Sequence, residues 1–192
     1  MFDQDKELSY SGDSSYKYVD RLIKGDSQEI GIISPYISDY YTKMLLKETG
    51  NKRIRVITSQ SSLGYRDSTL GNFIIKGIKG YLKALLFFLI LDAISIYLQF
   101  NYTTAIISAI IAITALLTYL RYRSQKSNLQ VKVIRDRFVH EKVYLAENEA
   151  IIGSANLTYN GMHKNIEHIE VIKDRDRING LKSHFEEMWK RN

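Results

Sequence analysis

A chain of 192 residues with a formal charge of +6 has room for one ordinary domain and little more, and its mild basic bias suits polyanionic partners without requiring them. The absence of cysteine excludes disulfide frameworks, thiolate metal sites and cysteine nucleophiles. Basic residues gather in segments 43–83 and 121–142, whereas segment 3–29 leans acidic.

The opening Met1-Phe2-Asp3-Gln4-Asp5 carries neither a basic nor an apolar leader region, so no cleaved signal peptide is expected. Residues 14–24 set Tyr18, Val19, Leu22 and Ile23 at helical spacing, with Gly25 as a stop. Residues 29–33 form a short apolar run ending at Ser34-Pro35, which reads as a buried strand. Ser38 can cap a second helix running to Gly50, and residues 53–58 alternate as a further strand. Residues 67–80 are expected to be helical and to lead into an apolar block.

Between residues 84 and 120 the only charged side chain is Asp92. The runs 82–100 and 102–120, divided at Asn101, each approach the roughly 20 residues that span a bilayer as a helix. A core hairpin would show a polar stripe; Ile106, Ile107, Ile110, Ile111, Ile113, Leu116 and Leu117 leave none. The block is therefore expected to be a transmembrane hairpin. Lys76, Lys79 and Lys83 before it, and Arg121, Arg123 and Lys126 after it, predict both termini and all the chain outside the hairpin on the cytoplasmic side. Asp92 is expected to bond a polar side chain of the second run, such as Ser108 or Thr114.

Strand-like runs resume at 129–134, 139–145, 150–152 and 168–172, followed by a helix from Asp174 to about Lys190. Strands and helices on both sides of the block predict one split α/β domain, with the hairpin inserted in one connection. Its parts are residues 1–75, the hairpin 76–126, and residues 127–192.

Three pieces of the C-terminal half carry chemistry. His140-Glu141-Lys142 lies on a predicted strand, whose alternation points His140 and Lys142 to one face. Gly153-Ser154-Ala155-Asn156 follows the next strand, and Asn165-Ile166-Glu167 leads into another. Taken singly, a His-x-Lys reads as a surface pair and a Gly-Ser as a turn. Together they can converge on one phosphate: lysine and asparagine ligate its oxygens, serine donates to it, and the imidazole attacks phosphorus.

Residues 138–172 resemble the HKD motif of the phospholipase D superfamily, which runs His-x-Lys, four residues, Asp, then Gly-Ser-x-Asn. Leu157-Thr158, Gly161 and Asn165-x-Glu167 resemble its nuclease-leaning branch, and residues 30–58, with Ser34-Pro35-Tyr36, resemble the opening of that fold. Residues 76–126 fall outside the resemblance. Glu147 stands at the motif's aspartate position, which mainly supports the motif structurally, and the turn from there to Gly153 is one residue short.

The resemblance implies an α/β phospholipase D-like mixed-sheet sandwich with helices on both faces. It assigns His140 as nucleophile, or as acid/base from a partner chain, through a phosphohistidine and without a metal or other cofactor. Lys142, Ser154 and Asn156 bind the phosphate, and Glu167 orients His140; a plainer reading pairs Glu167 with Lys164 or Lys173. The family site uses two motifs. This chain has one, and His163, His168 and His184 lack the motif's context. A homodimer through the HKD face is therefore expected. Nucleic acid is the first expected substrate and membrane lipid the second, acted on as by a phospholipase D or a phosphatidyl-transferring enzyme. An inactive membrane-bound interaction module stands third.

Overall fold

The computed structural model describes residues 8–59, 86–87, 90, 93–94 and 102–191. In chain order these form β1 (Leu8–Gly12), α1 (Tyr16–Lys24), β2 (Glu29–Ile33), α2 (Asp39–Glu48) and β3 (Arg53–Ser59). A long helix α3 (Tyr102–Asn128) precedes β4 (Leu129–Ile134), β5 (Val143–Leu145), β6 (Ala150–Gly153), α4 (Tyr159–His163), β7 (Glu167–Ile172) and α5 (Arg175–Lys190). Packing divides the chain into two compact units, Phe73–Ser127 and the remainder on either side of it.

The larger unit is built on one seven-stranded sheet in the order β1-β7-β6-β5-β2-β3-β4. β2, β3 and β4 run parallel, whereas β2–β5, β5–β6, β6–β7 and β7–β1 are antiparallel. In the parallel half Ile30, Ile32 and Ile33 of β2 and Ile54, Val56 and Ile57 of β3 are fully buried, as strands covered on both faces require. Alternation divides the side chains between two layers. Ile33, Val143 and Leu145 join Ile178, Phe185 and Met188 of α5 in one core cluster. On the other layer α1 packs on α2 and against β5, burying Val19, Leu22 and Ile23. The mixed sheet with helices on both faces is the α/β sandwich expected.

Several elements differ from the sequence expectation. β1, a partly polar edge strand, has no counterpart in it. The strand expected over 139–145 is only Val143–Leu145, because both backbone polar groups of Val139 bond the Ser59 hydroxyl instead of a neighbouring strand, N to Oγ at 2.9 Å and Oγ to O at 3.3 Å. His140 and Lys142 thus lie in the lead-in to β5.

The membrane placement is overturned. Among the described residues no helix is long and apolar enough to cross a membrane. The run expected as a second span is instead part of the 27-residue α3, which continues through Arg121, Arg123 and Lys126 to Asn128 and abuts β4. Its apolar residues are interspersed with hydroxyl-bearing ones. The hydroxyl of Thr114, an expected partner of Asp92, donates to the Ile110 carbonyl at 2.8 Å. Asp92 itself, the helix expected over 67–80 and most of the expected first span lie outside the described residues.

Candidate active site

Strand direction brings the three sequence pieces to one end of the sheet. β2 ends there at Ile33, just before Ser34, and β3 at Ser59, antiparallel β5 begins there after Lys142, β6 ends there at Gly153, and β7 begins there at Glu167. The boundary between β2 and β5 is where the parallel half meets the antiparallel half, the kind of switch point at which open sheets bind ligands.

Gly153 is required by close backbone approach. A Cβ there would stand 2.1 Å from the His168 carbonyl oxygen and 2.8 Å from Ile169 Cα. That approach lets Ser154 N donate to the His168 carbonyl at 2.9 Å, while His168 N donates to Ser154 Oγ at 3.0 Å. The Ser154 hydroxyl donates to Glu167 Oε2 at 2.5 Å, and Asn165 Nδ2 donates to Glu167 Oε1 at 3.2 Å. Both oxygens of the carboxylate are held.

Lys142 is buried, at 7% exposure, and its Nζ donates to the His140 carbonyl at 2.6 Å. Burial lowers its pKa, and the negative Glu167 opposes that shift. Beneath the site, the buried Tyr144 hydroxyl donates to the Ala155 carbonyl at 2.7 Å; burial pushes its pKa up. This bond fixes the turn carrying Asn156, whose Oδ1 is buried without a hydrogen-bond partner among the described residues. Thr158 Oγ1 accepts from Gly161 N at 3.0 Å and starts α4. Gly161 lies where a Cβ would meet the Asn156 carbonyl at 2.7 Å. His140 is exposed, with its ring 5.8 Å from that of Phe138.

The structure therefore brings His140, Lys142, Ser154, Asn156 and Glu167 to one edge of the sheet, but it does not bond Glu167 to His140. Glu167 serves Ser154 and Asn165, and its charge reaches Lys142. Lys164 sits 5.8 Å from the centre of the Tyr159 ring. Glu147 lies at the opposite end of β5 and β6 from these residues. Its Oε1 accepts from Gln28 N at 3.1 Å and its carbonyl accepts from Lys182 Nζ at 2.8 Å, tying the β5–β6 turn to the α1–β2 loop and to α5.

The other histidines are engaged elsewhere. His163 stacks on Tyr16 at 4.3 Å and on Tyr159 at 4.7 Å, His168 bonds Ser11 Oγ of β1 at 2.7 Å, and His184 pairs with Glu141 at 2.8 Å. Sequence reasoning missed the supporting roles of Ser59, Tyr144 and the Ser34 hydroxyl, which accepts from Leu157 N at 3.0 Å. Only the Ser34-Pro35-Tyr36 string pointed to any of them.

The sequence pattern of the family described as cardiolipin synthase, PLD-like domain, matches residues 19–189, nearly the whole chain. The chain belongs to this phospholipase D-like family. Solved structures agree on the fold. NucT from Helicobacter pylori is similar with a TM-score of 0.57 at 14% identity, over 96% of this chain and 96% of that one. Nuc from Salmonella typhimurium, a phospholipase D family member, is similar with a TM-score of 0.57 at 12% identity, over 96% and 95%. Phosphatidylserine synthase from Haemophilus influenzae Rd KW20 is similar with a TM-score of 0.50 at 14% identity, over 97% of this chain and 38% of the other. No curated protein matches the chain in sequence. The phospholipase D-like chain thus carries the phosphodiesterase fold of that superfamily, in a length close to those of Nuc and NucT.

Proposed function

We propose that the protein is a phosphodiesterase, and more narrowly a metal-independent endonuclease that works as a homodimer. The observation that carries this reading is the convergence of exposed His140, buried Lys142, the Glu167-anchored Ser154 hydroxyl and Asn156 at one sheet edge. Lys142 presents positive charge and Asn156 its amide N–H groups to non-bridging phosphate oxygens, while the Ser154 hydroxyl, whose proton goes to Glu167, positions that carboxylate. The His140 imidazole attacks phosphorus, and one bridging P–O bond breaks as the P–N bond forms. His140 of the partner subunit gives the leaving oxygen its proton. It then takes a proton from water, whose oxygen displaces His140 from phosphorus, leaving a phosphomonoester and an alcohol. Glu167 acts in this reading through Ser154 and through its charge on Lys142. The second copy is needed because His163, His168 and His184 are committed to other partners. The likeness to Nuc and NucT over nearly the whole of their length and of this chain supports nucleic acid as substrate.

A second reading, a phospholipase D or a phosphatidyl-transferring enzyme, draws on the cardiolipin synthase description of the family and the phosphatidylserine synthase likeness. The test offers purified protein, with EDTA present, labelled single- and double-stranded DNA, RNA and mixed phospholipid in parallel. Cleavage of nucleic acid is expected, with a loss on the order of a thousandfold or more in His140→Asn. Undiminished turnover by that variant removes the mechanism. Cleavage of lipid alone replaces the nuclease with the second reading.

A further inference from the structure

Two exposed aromatic rings pair next to the nucleophile, one of them beside His140, and the mechanism above uses neither. Tyr36, 42% exposed, comes from the β2–α2 loop, and Phe138, 52% exposed, from the β4–β5 loop. Their centroids are 5.9 Å apart, and Phe138 lies 5.8 Å from His140. Both loops are tied down close to the rings. Ser34 Oγ donates to the Tyr36 carbonyl at 2.9 Å, and Ser59 Oγ accepts from the N–H of Val139, the residue after Phe138, at 2.9 Å. Exposed rings on fixed backbone give contact area at little entropic cost.

Positive charge continues from this pair. Arg135 and Arg137 are exposed on the same loop as Phe138, and Arg137 keeps an exposed pair with Asp136 at 3.2 Å. Both arginines line a cavity of about 500 Å³ with Lys132 and Arg191. Along the chain from Arg135 to Lys142 the order is therefore cation, aromatic ring, nucleophile, cation. A polyanion whose repeating unit also has a flat apolar face matches that order. A phospholipid headgroup supplies the phosphate without the face, and a duplex supplies phosphates with its bases already stacked.

We propose that Tyr36 and Phe138 form a stacking platform for a base beside the scissile phosphate, so that the substrate class of the site is single-stranded nucleic acid. This rests on the nuclease reading and goes beyond it by naming strandedness and the residues that set it. Arg135 and Arg137 hold the neighbouring phosphates. Base–aromatic stacking tolerates any base, so the platform selects unpaired strand without selecting sequence.

The test uses the His140→Asn protein in EDTA, so that substrate is bound and not consumed. Fluorescence anisotropy compares a labelled single strand of about 12 nucleotides, the same strand with consecutive abasic sites, and the matching duplex. The base-bearing strand is expected to bind about tenfold tighter than the abasic one, the size of one stack. Adding Tyr36→Ala or Phe138→Ala should remove most of that preference, while Tyr36→Phe and Phe138→Tyr retain it. Thermal melting and oligomeric mass are recorded for each variant. Equal binding of base-bearing and abasic strands overturns the platform and leaves the nuclease reading standing. Failure to bind any nucleic acid overturns both. Loss of the dimer in Phe138→Ala, with the base preference intact, means a second copy covers these rings, and it overturns the platform too.

Discussion

At Gly153 the backbone of β7 passes so close that a single methyl group decides whether β6 and β7 can pair. A Cβ would overlap the His168 carbonyl oxygen, a backbone atom that cannot swing aside. Gly153→Ala is expected to cost about 1–3 kcal/mol, read as a lower melting temperature, and to cut activity further because Ser154 loses its registry with Glu167. A melting temperature equal to the parent's would mean that the close approach is not needed. Glycine and serine in the motif were plain in the sequence, but their reason was not. The carbonyl that forbids a side chain at 153 belongs to residue 168, across the sheet. The same holds for Glu167, whose spacing pointed to the site while its partners were settled by the turn that carries Ser154.

At the scale of the element, α5 shows how charge and packing combine. Arg55 on β3 bonds Glu186 Oε1 at 2.5 Å, and its guanidinium lies 5.0 Å from the centre of the Phe185 ring and 5.5 Å from that of Trp189. The hydrogen bond from Arg55 holds the Glu186 carboxyl below its ordinary value of 4.5. A carboxylate whose folded pKa is depressed contributes stability that is fully present above the unfolded value. That contribution is lost as pH falls through the folded one. The parent should therefore lose melting temperature below about pH 4.5 more steeply than Glu186→Gln, with the two curves converging at lower pH. Parallel curves would show that the pair adds nothing measurable, as many exposed pairs do. The apolar block teaches a different lesson about elements. Its composition was legible, yet the limits of α3, which carries on through three basic residues into β4, were not. Hydropathy reads a run of side chains, whereas hydrogen bonding along the backbone sets where a helix stops.

For the whole molecule, one motif per chain makes subunit exchange a direct probe of the mechanism. If each site needs His140 from both chains, mixing equal amounts of parent and His140→Asn after exchange leaves about a quarter of the dimers with both histidines. Activity per parent chain should fall to about half. Activity that simply follows the amount of parent protein would show that each chain works alone.

The sequence by itself determined the α/β class, the alternation of strands and helices, and the pieces that meet at the site, since these rest on local spacing and on residue chemistry. The tertiary structure alone decided the strand order, the edge strand β1, the short β5, and the partners of Glu167, Ser59 and Tyr144. Those depend on contacts between residues far apart in the chain, and the period-two alternation within a strand does not say which strand lies beside it. It also overturned the expected membrane hairpin among the described residues, because apolar composition alone does not fix where a helix ends.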